Sequence, residues 1–149
     1  MTFKFPWYAI GIIAVSAAKT TGLPVVACMV FDSGPNKDHT MMGVSAGVAV
    51  QKLSAAGADV IGANCGQGIE AFLPICTRLR EASDLPIWMK PNAGLPEIID
   101  DQVVFRTTAG EFSEYIPGLV AAGAGFIGGC CGTDRGFVEA IRKTVEKLY

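Results

Sequence analysis

The stretch Ala124-Gly125-Phe126-Ile127-Gly128-Gly129-Cys130-Cys131-Gly132-Thr133 runs from an apolar segment straight into a glycine-bracketed cysteine pair. Its first six residues show no polar alternation, the mark of a strand buried on both faces as in a parallel sheet. The glycines let the backbone approach whatever the thiols address, at a cost in folding entropy. A helical pattern over Gly136–Leu148 follows, with Arg142, Lys143 and Lys147 towards its end, where cations suit the helix dipole. The unit reads as a strand, a site at its C-terminal end and a returning helix.

The same unit recurs upstream. Apolar, β-branched runs stand at Leu23–Phe31, Asp59–Asn64 and Leu85–Lys90, and helical patterns at Ser45–Ala56, Ile69–Ala82 and Glu111–Ala122. A first helix is expected over Trp7–Thr20, stopped by Thr21-Gly22. Alternation of this kind predicts an α/β fold with a parallel sheet and right-handed crossovers. With no linker or change of composition, residues 1–149 read as one domain. Two architectures satisfy the pattern, a small open sheet of the flavodoxin type or four βα units of an eight-stranded barrel. Asp32, Asn64-Cys65, Pro91-Asn92 and Cys130-Cys131 all fall at strand C-termini, where α/β folds build their sites.

Composition narrows the function. Half of the 149 residues are hydrophobic and the net charge is −2, with no cluster of Lys or Arg, so nucleic acid and membrane are not expected partners. The apolar stretch 7–18 is too short to span a bilayer and lacks a basic flank. A cytoplasmic location is the expectation. Five cysteines, an odd number, argue for free thiols or metal ligands over a disulfide framework. Cys65, Cys130 and Cys131, converging from two strand ends, would form a soft anionic cup suited to Zn²⁺ with one position open. Buried structural cysteines and a redox role are the competing readings. Cys28 and Cys76 read as core thiols, and the single histidine, His39, as a solvated loop residue.

Gly62-Ala63-Asn64-Cys65, Lys90-Pro91-Asn92-Ala93-Gly94 and Gly128-Gly129-Cys130-Cys131-Gly132-Thr133, in this order, resemble the zinc-dependent homocysteine S-methyltransferase family. That family includes the homocysteine-binding module of cobalamin-dependent methionine synthase and betaine–homocysteine methyltransferase. The resemblance runs from about Leu23 to the C-terminus. It implies a (β/α)8 TIM barrel of which this chain is the C-terminal half, strands five to eight, with Leu23–Asp32 as strand five.

It further implies that Cys65, Cys130 and Cys131 ligate Zn²⁺ and that homocysteine takes the open position. The thiol, deprotonated there, would accept a methyl group to give methionine. Asn92 matches the position that can fill the open zinc site before substrate arrives. Asn64, Asn92, Gly129 and Asp32 are the candidate substrate-binding residues: Asn64 orients the metal loop or caps the following turn, Asp32 is a carboxylate behind the site or a solvated loop residue, and Gly129 lets the backbone reach substrate. Thr133 is expected to cap the last helix. Met1-Thr2-Phe3 falls where the family has a Glu-Thr pair, so Met1 stands at the glutamate that grips the homocysteine amino group. A corrinoid protein is one methyl donor the family uses. A half barrel is expected to close as a homodimer or with a chain supplying the other half. The alternative is a non-catalytic zinc-binding or scaffold module derived from the same family.

Overall fold

The structure, a computed structural model, describes residues 8–149. Trp7 and the Met1-Thr2-Phe3 segment lie outside the described residues. The chain folds as α1 (Tyr8–Lys19), β1 (Val26–Met29), α2 (Ala46–Ala55), β2 (Val60–Cys65), a 3-10 turn (Ile69–Ala71) leading into α3 (Phe72–Ala82), and β3 (Ile87–Pro91). There follow β4 (Glu97–Ile99), β5 (Gln102–Val104), α4 (Ala109–Glu114), α5 (Ile116–Ala121), β6 (Ala124–Ile127) and α6 (Arg135–Val145).

Strands β1, β2, β3 and β6 form one parallel sheet in that order. Strand order without reversal, joined by right-handed crossovers, puts the connecting helices on a single face. An open doubly wound sheet would reverse its order at a switch point, and this one does not. Burial agrees. Ile61, Ala63, Ile87 and Met89 point to the helices and are essentially inaccessible, together with Phe72, Ile75, Leu79 and Phe112. The alternate residues Trp88 and Phe126 stack at 5.8 Å on the other face, where Phe126 is 49% exposed. Phe112 and Phe137 meet edge-to-face at 5.3 Å and fix α6 to α4.

Several boundaries differ from the sequence expectation for local reasons. The first strand starts at Val26 and not Leu23. Pro24 has no N–H for a ladder, and the Val25 N–H donates to the Asp59 carboxylate at 2.7 Å instead. Asp59, held also by Lys19 at 2.8 Å, is withdrawn from the second strand. The expected helix over Glu111–Ala122 is two helices meeting at Tyr115, because Pro117 cannot donate into the preceding turn. Its start lies at Thr108, whose hydroxyl and the Glu111 carboxylate form a capping box. The sequence reading missed the antiparallel hairpin of β4 and β5. Its turn, Asp100-Asp101, has φ of 49° and 60°, the positive pair that a two-residue I′ connection needs.

Candidate metal centre

The C-terminal ends of β2, β3 and β6 converge because their registers align: Asn64 lies opposite Lys90 and Cys65 opposite Pro91. β2 ends in a forced turn. Cys65 has φ of 59° and Gly66 of 71°, so a cysteine sits in the left-handed region that L-residues seldom occupy. This turn presents the Cys65 Sγ to the loop after β6. There the Cys130 N–H donates to the Pro91 carbonyl at 2.9 Å, and the Ala93 N–H donates to the Cys131 carbonyl at 2.9 Å.

The three sulfurs meet. Cys65 Sγ lies 3.2 Å from Cys130 Sγ, Cys130 Sγ lies 3.9 Å from Cys131 Sγ, and all three fall within 4.8 Å of one another. Tetrahedral zinc with Zn–S bonds of about 2.3 Å needs sulfurs about 3.8 Å apart, inside the observed spread. Cys65 and Cys130 are half-buried, and Cys131 is exposed, so the cluster opens to solvent on one side. A soft, tri-thiol donor set with an accessible fourth direction fits zinc in its catalytic arrangement.

Asn64 Nδ2 donates to Cys65 Sγ at 3.0 Å, fixing that sulfur and favouring its anion. Asn92 is 6% exposed and uses both ends of its amide. Nδ2 donates to the Gly66 carbonyl at 3.0 Å, and Oδ1 accepts from the Cys131 N–H at 3.1 Å. One side chain thus ties the two cysteine loops together. Gly129 is needed sterically, since a Cβ there would sit 2.2 Å from Thr133 Oγ1. Thr133 does not cap the last helix. Its hydroxyl donates to the Cys130 carbonyl at 2.7 Å, and Asp134 caps α6 by accepting from the Gly136 and Phe137 N–H groups.

The thiols are unequal. Burial pushes Cys65 up to about 11, helped by its bond to Cys130. At Cys130 burial also pushes upward, but hydrogen bonds from Cys65 and from the Cys131 N–H outweigh it and hold the thiol below its ordinary value. The two thiols share one hydrogen-bonded contact and titrate as a pair.

Asp32 follows β1, and its hydrogen bonds run to Ser33 and to the His39 carbonyl rather than to the sulfurs. Cys76 is fully buried in α3 and its thiol is pushed up to about 11 by that burial. Cys28 lies in β1, also raised by burial. Sequence reasoning missed the anchor of the loop after β1. His39 is half-buried, with Nδ1 2.6 Å from Asp38 Oδ1, and Arg78 of α3 reaches Asp38 Oδ2 at 3.0 Å. His39, expected as a solvated loop residue, is thus held against Asp38, and the arginine that closes the pair comes from α3. Among the described residues, no helix is long and apolar enough to cross a membrane.

The chain is similar in sequence and in fold to known proteins. Over 145 residues the chain is 30% identical to rat betaine–homocysteine S-methyltransferase 1, covering 86% of this chain and 35% of that protein. Over 109 residues it is 28% identical to methionine synthase of Mycobacterium tuberculosis, covering 72% of this chain but 9% of that protein. The fold matches the metallated form of the homocysteine methyltransferase MmuM from Escherichia coli with a TM-score of 0.66 at 24% identity, over 89% of this chain and 40% of that one. The parallel sheet thus reproduces part of a TIM-barrel chain, and this protein spans well under half the length of the relatives it matches. The homocysteine S-methyltransferase family profile matches residues 8–145, nearly the whole chain, so the chain belongs to that family.

Proposed function

We propose that this chain is the strand-five-to-eight half of a homocysteine S-methyltransferase barrel, and that Cys65, Cys130 and Cys131 hold its catalytic Zn²⁺. The observation that carries the reading is the convergence of three thiols within 4.8 Å from two strand ends, with their loops clamped by a buried amide. When bound, zinc supplies the Lewis acidity that keeps a small thiol deprotonated near neutral pH. The chain's own residues do the positioning. Asn64 orients Cys65. Asn92 fixes the spacing of the two loops. Gly129 leaves room for Thr133 to hold the Cys130 carbonyl, and Asp32 stands at the neighbouring strand end.

Homocysteine is the thiol that family membership favours, with methionine as product; a corrinoid protein is one candidate methyl donor. The uncovered sheet face favours activity in a completed barrel, and the alternative reading of this half by itself is a zinc-binding module. The test is zinc content per chain of metal-replete protein, with Cys130→Ser alongside, followed by methionine formation from homocysteine. About one zinc per chain, lost in the variant, is the expected result. Well-folded protein without zinc would sink the metal reading.

A further inference from the structure

The β4–β5 hairpin leaves the sheet at the C-terminal end of β3, the edge on which the three thiols meet. Its ladder pair Ile98 and Val103 are 79% and 65% exposed, so burial does not hold the arm in place. Its base does. The half-buried Phe105 ring lies against the loop after β6: a Cβ at Gly132 would fall 2.2 Å from Phe105 Cγ and within 2.6 Å of both Cδ atoms. Thr107 lies against the loop after β3, its Oγ1 3.0 Å from where a Cβ at Gly94 would stand. Arg106, between them, bonds Glu97 of β4 at 2.7 Å, and the Thr108–Glu111 capping box fixes the far end of the limb. Residues 105–107 thus rest on the loop of Asn92 and on the loop of Cys130 and Cys131.

We propose that Phe105 is a positioning residue for the metal centre, acting through Gly132 on Cys131, with the hairpin as the arm that delivers it. The inference rests on the zinc reading above. Cys131 is the thiol that needs such help. Cys65 Sγ has Asn64 and the Cys130 carbonyl has Thr133, whereas Cys131 is exposed. Among the described residues its Sγ is bonded to nothing nearer than Cys130 Sγ at 3.9 Å. Its N–H and carbonyl are held by Asn92 and Ala93, so the freedom that remains lies in the turn that follows. That turn is Gly132, at φ of 78°, the residue type with the most backbone conformations to lose. The Phe105 ring fills the space of a side chain there and restrains the turn from outside. Linkage makes the effect reciprocal: if the ring favours zinc, zinc favours the seated ring by the same factor.

The test uses the full 149-residue chain in two measurements. The first needs no variant. Amide hydrogen exchange over Gln102–Val104 should slow at least about fivefold when zinc is added to wild type, and exchange unchanged by zinc would overturn the proposal. The second is zinc affinity by competition with a chelator. Phe105→Ala should lose about 10–100-fold, and the thiolate-to-metal absorption of its cobalt-substituted form should fall by about a third as Cys131 drops away. Phe105→Tyr, which keeps the ring, should stay within about twofold of wild type, as should Ile98→Ser on the exposed arm. A purely structural role for Phe105 would lower the urea midpoint and leave both metal readings as they are in wild type; that result, or an equal loss in Ile98→Ser, would overturn the proposal. Wild type that takes up no zinc fails the metal reading and this proposal together, whereas wild-type zinc binding by Phe105→Ala fails this proposal alone.

Discussion

The rim of the sheet and its inner face are built on the same strands, β2, β3 and β6, and are finished to different degrees. At the rim, Asn92 satisfies a carbonyl and an N–H on two loops, Asn64 serves Cys65, and Thr133 serves the Cys130 carbonyl. A few residues lower, Trp88 keeps an unanswered N–H, Lys90 an unanswered charge and Phe126 an exposed ring. A thiol site can be preorganised by local hydrogen bonds between adjacent strand ends. A barrel lumen cannot, because half of its lining comes from strands that lie opposite.

Changes at the rim should therefore be felt in the chain by itself. Cys130→Ser has the largest expected effect, more than about a 100-fold loss of zinc affinity, beyond what loss of a supporting hydrogen bond costs, measured by competition with a chelator. Asn92→Ala leaves the Gly66 carbonyl and Cys131 N–H without their partner and should cost about 3 kcal/mol in denaturant unfolding, with about a 10–100-fold loss of zinc affinity. Gly129→Ala forces Thr133 aside and should cost about 2 kcal/mol by the same assay. Phe126→Ser on the inner face should change the stability of the isolated chain by less than about 0.5 kcal/mol, since the ring is half exposed. An effect as large as that of Gly129→Ala would erase the contrast between rim and face.

Acid should act weakly and elsewhere. Hydrogen bonding from His39, with Arg78 nearby, holds Asp38 below its ordinary 3.8, and Lys19 with the Val25 N–H does the same for Asp59. A depressed carboxylate contributes stability that is complete above its unfolded value and is lost as pH falls through the lower folded one. Urea midpoints should thus be flat down to about pH 5 as far as these two groups go, and Asp38→Asn should reduce the fall below it.

How much was legible follows the range of the interactions. Continuous apolar runs without alternation marked the four parallel strands, and the glycine–cysteine cluster marked the three converging sulfurs, because strand ends in an α/β fold meet by topology alone. The split at Tyr115 was marked by Pro117, and the β4–β5 hairpin by Asp100-Asp101 between short apolar runs, both weaker signals than the helical pattern around them. Arg78 reaching Asp38 across forty residues and the Asn92 clamp between two loops are tertiary choices that no local pattern encodes. Thr133 and Asp134 are adjacent and both good cap residues; only the backbone path decided that Asp134 caps α6.

Zinc-edge X-ray absorption on the metal-replete chain tests the centre most directly. The account predicts three sulfur neighbours at about 2.3 Å in wild type and two in Cys131→Ser. Fewer than three sulfurs around zinc in the wild-type chain, or an unchanged shell in the variant, would contradict it.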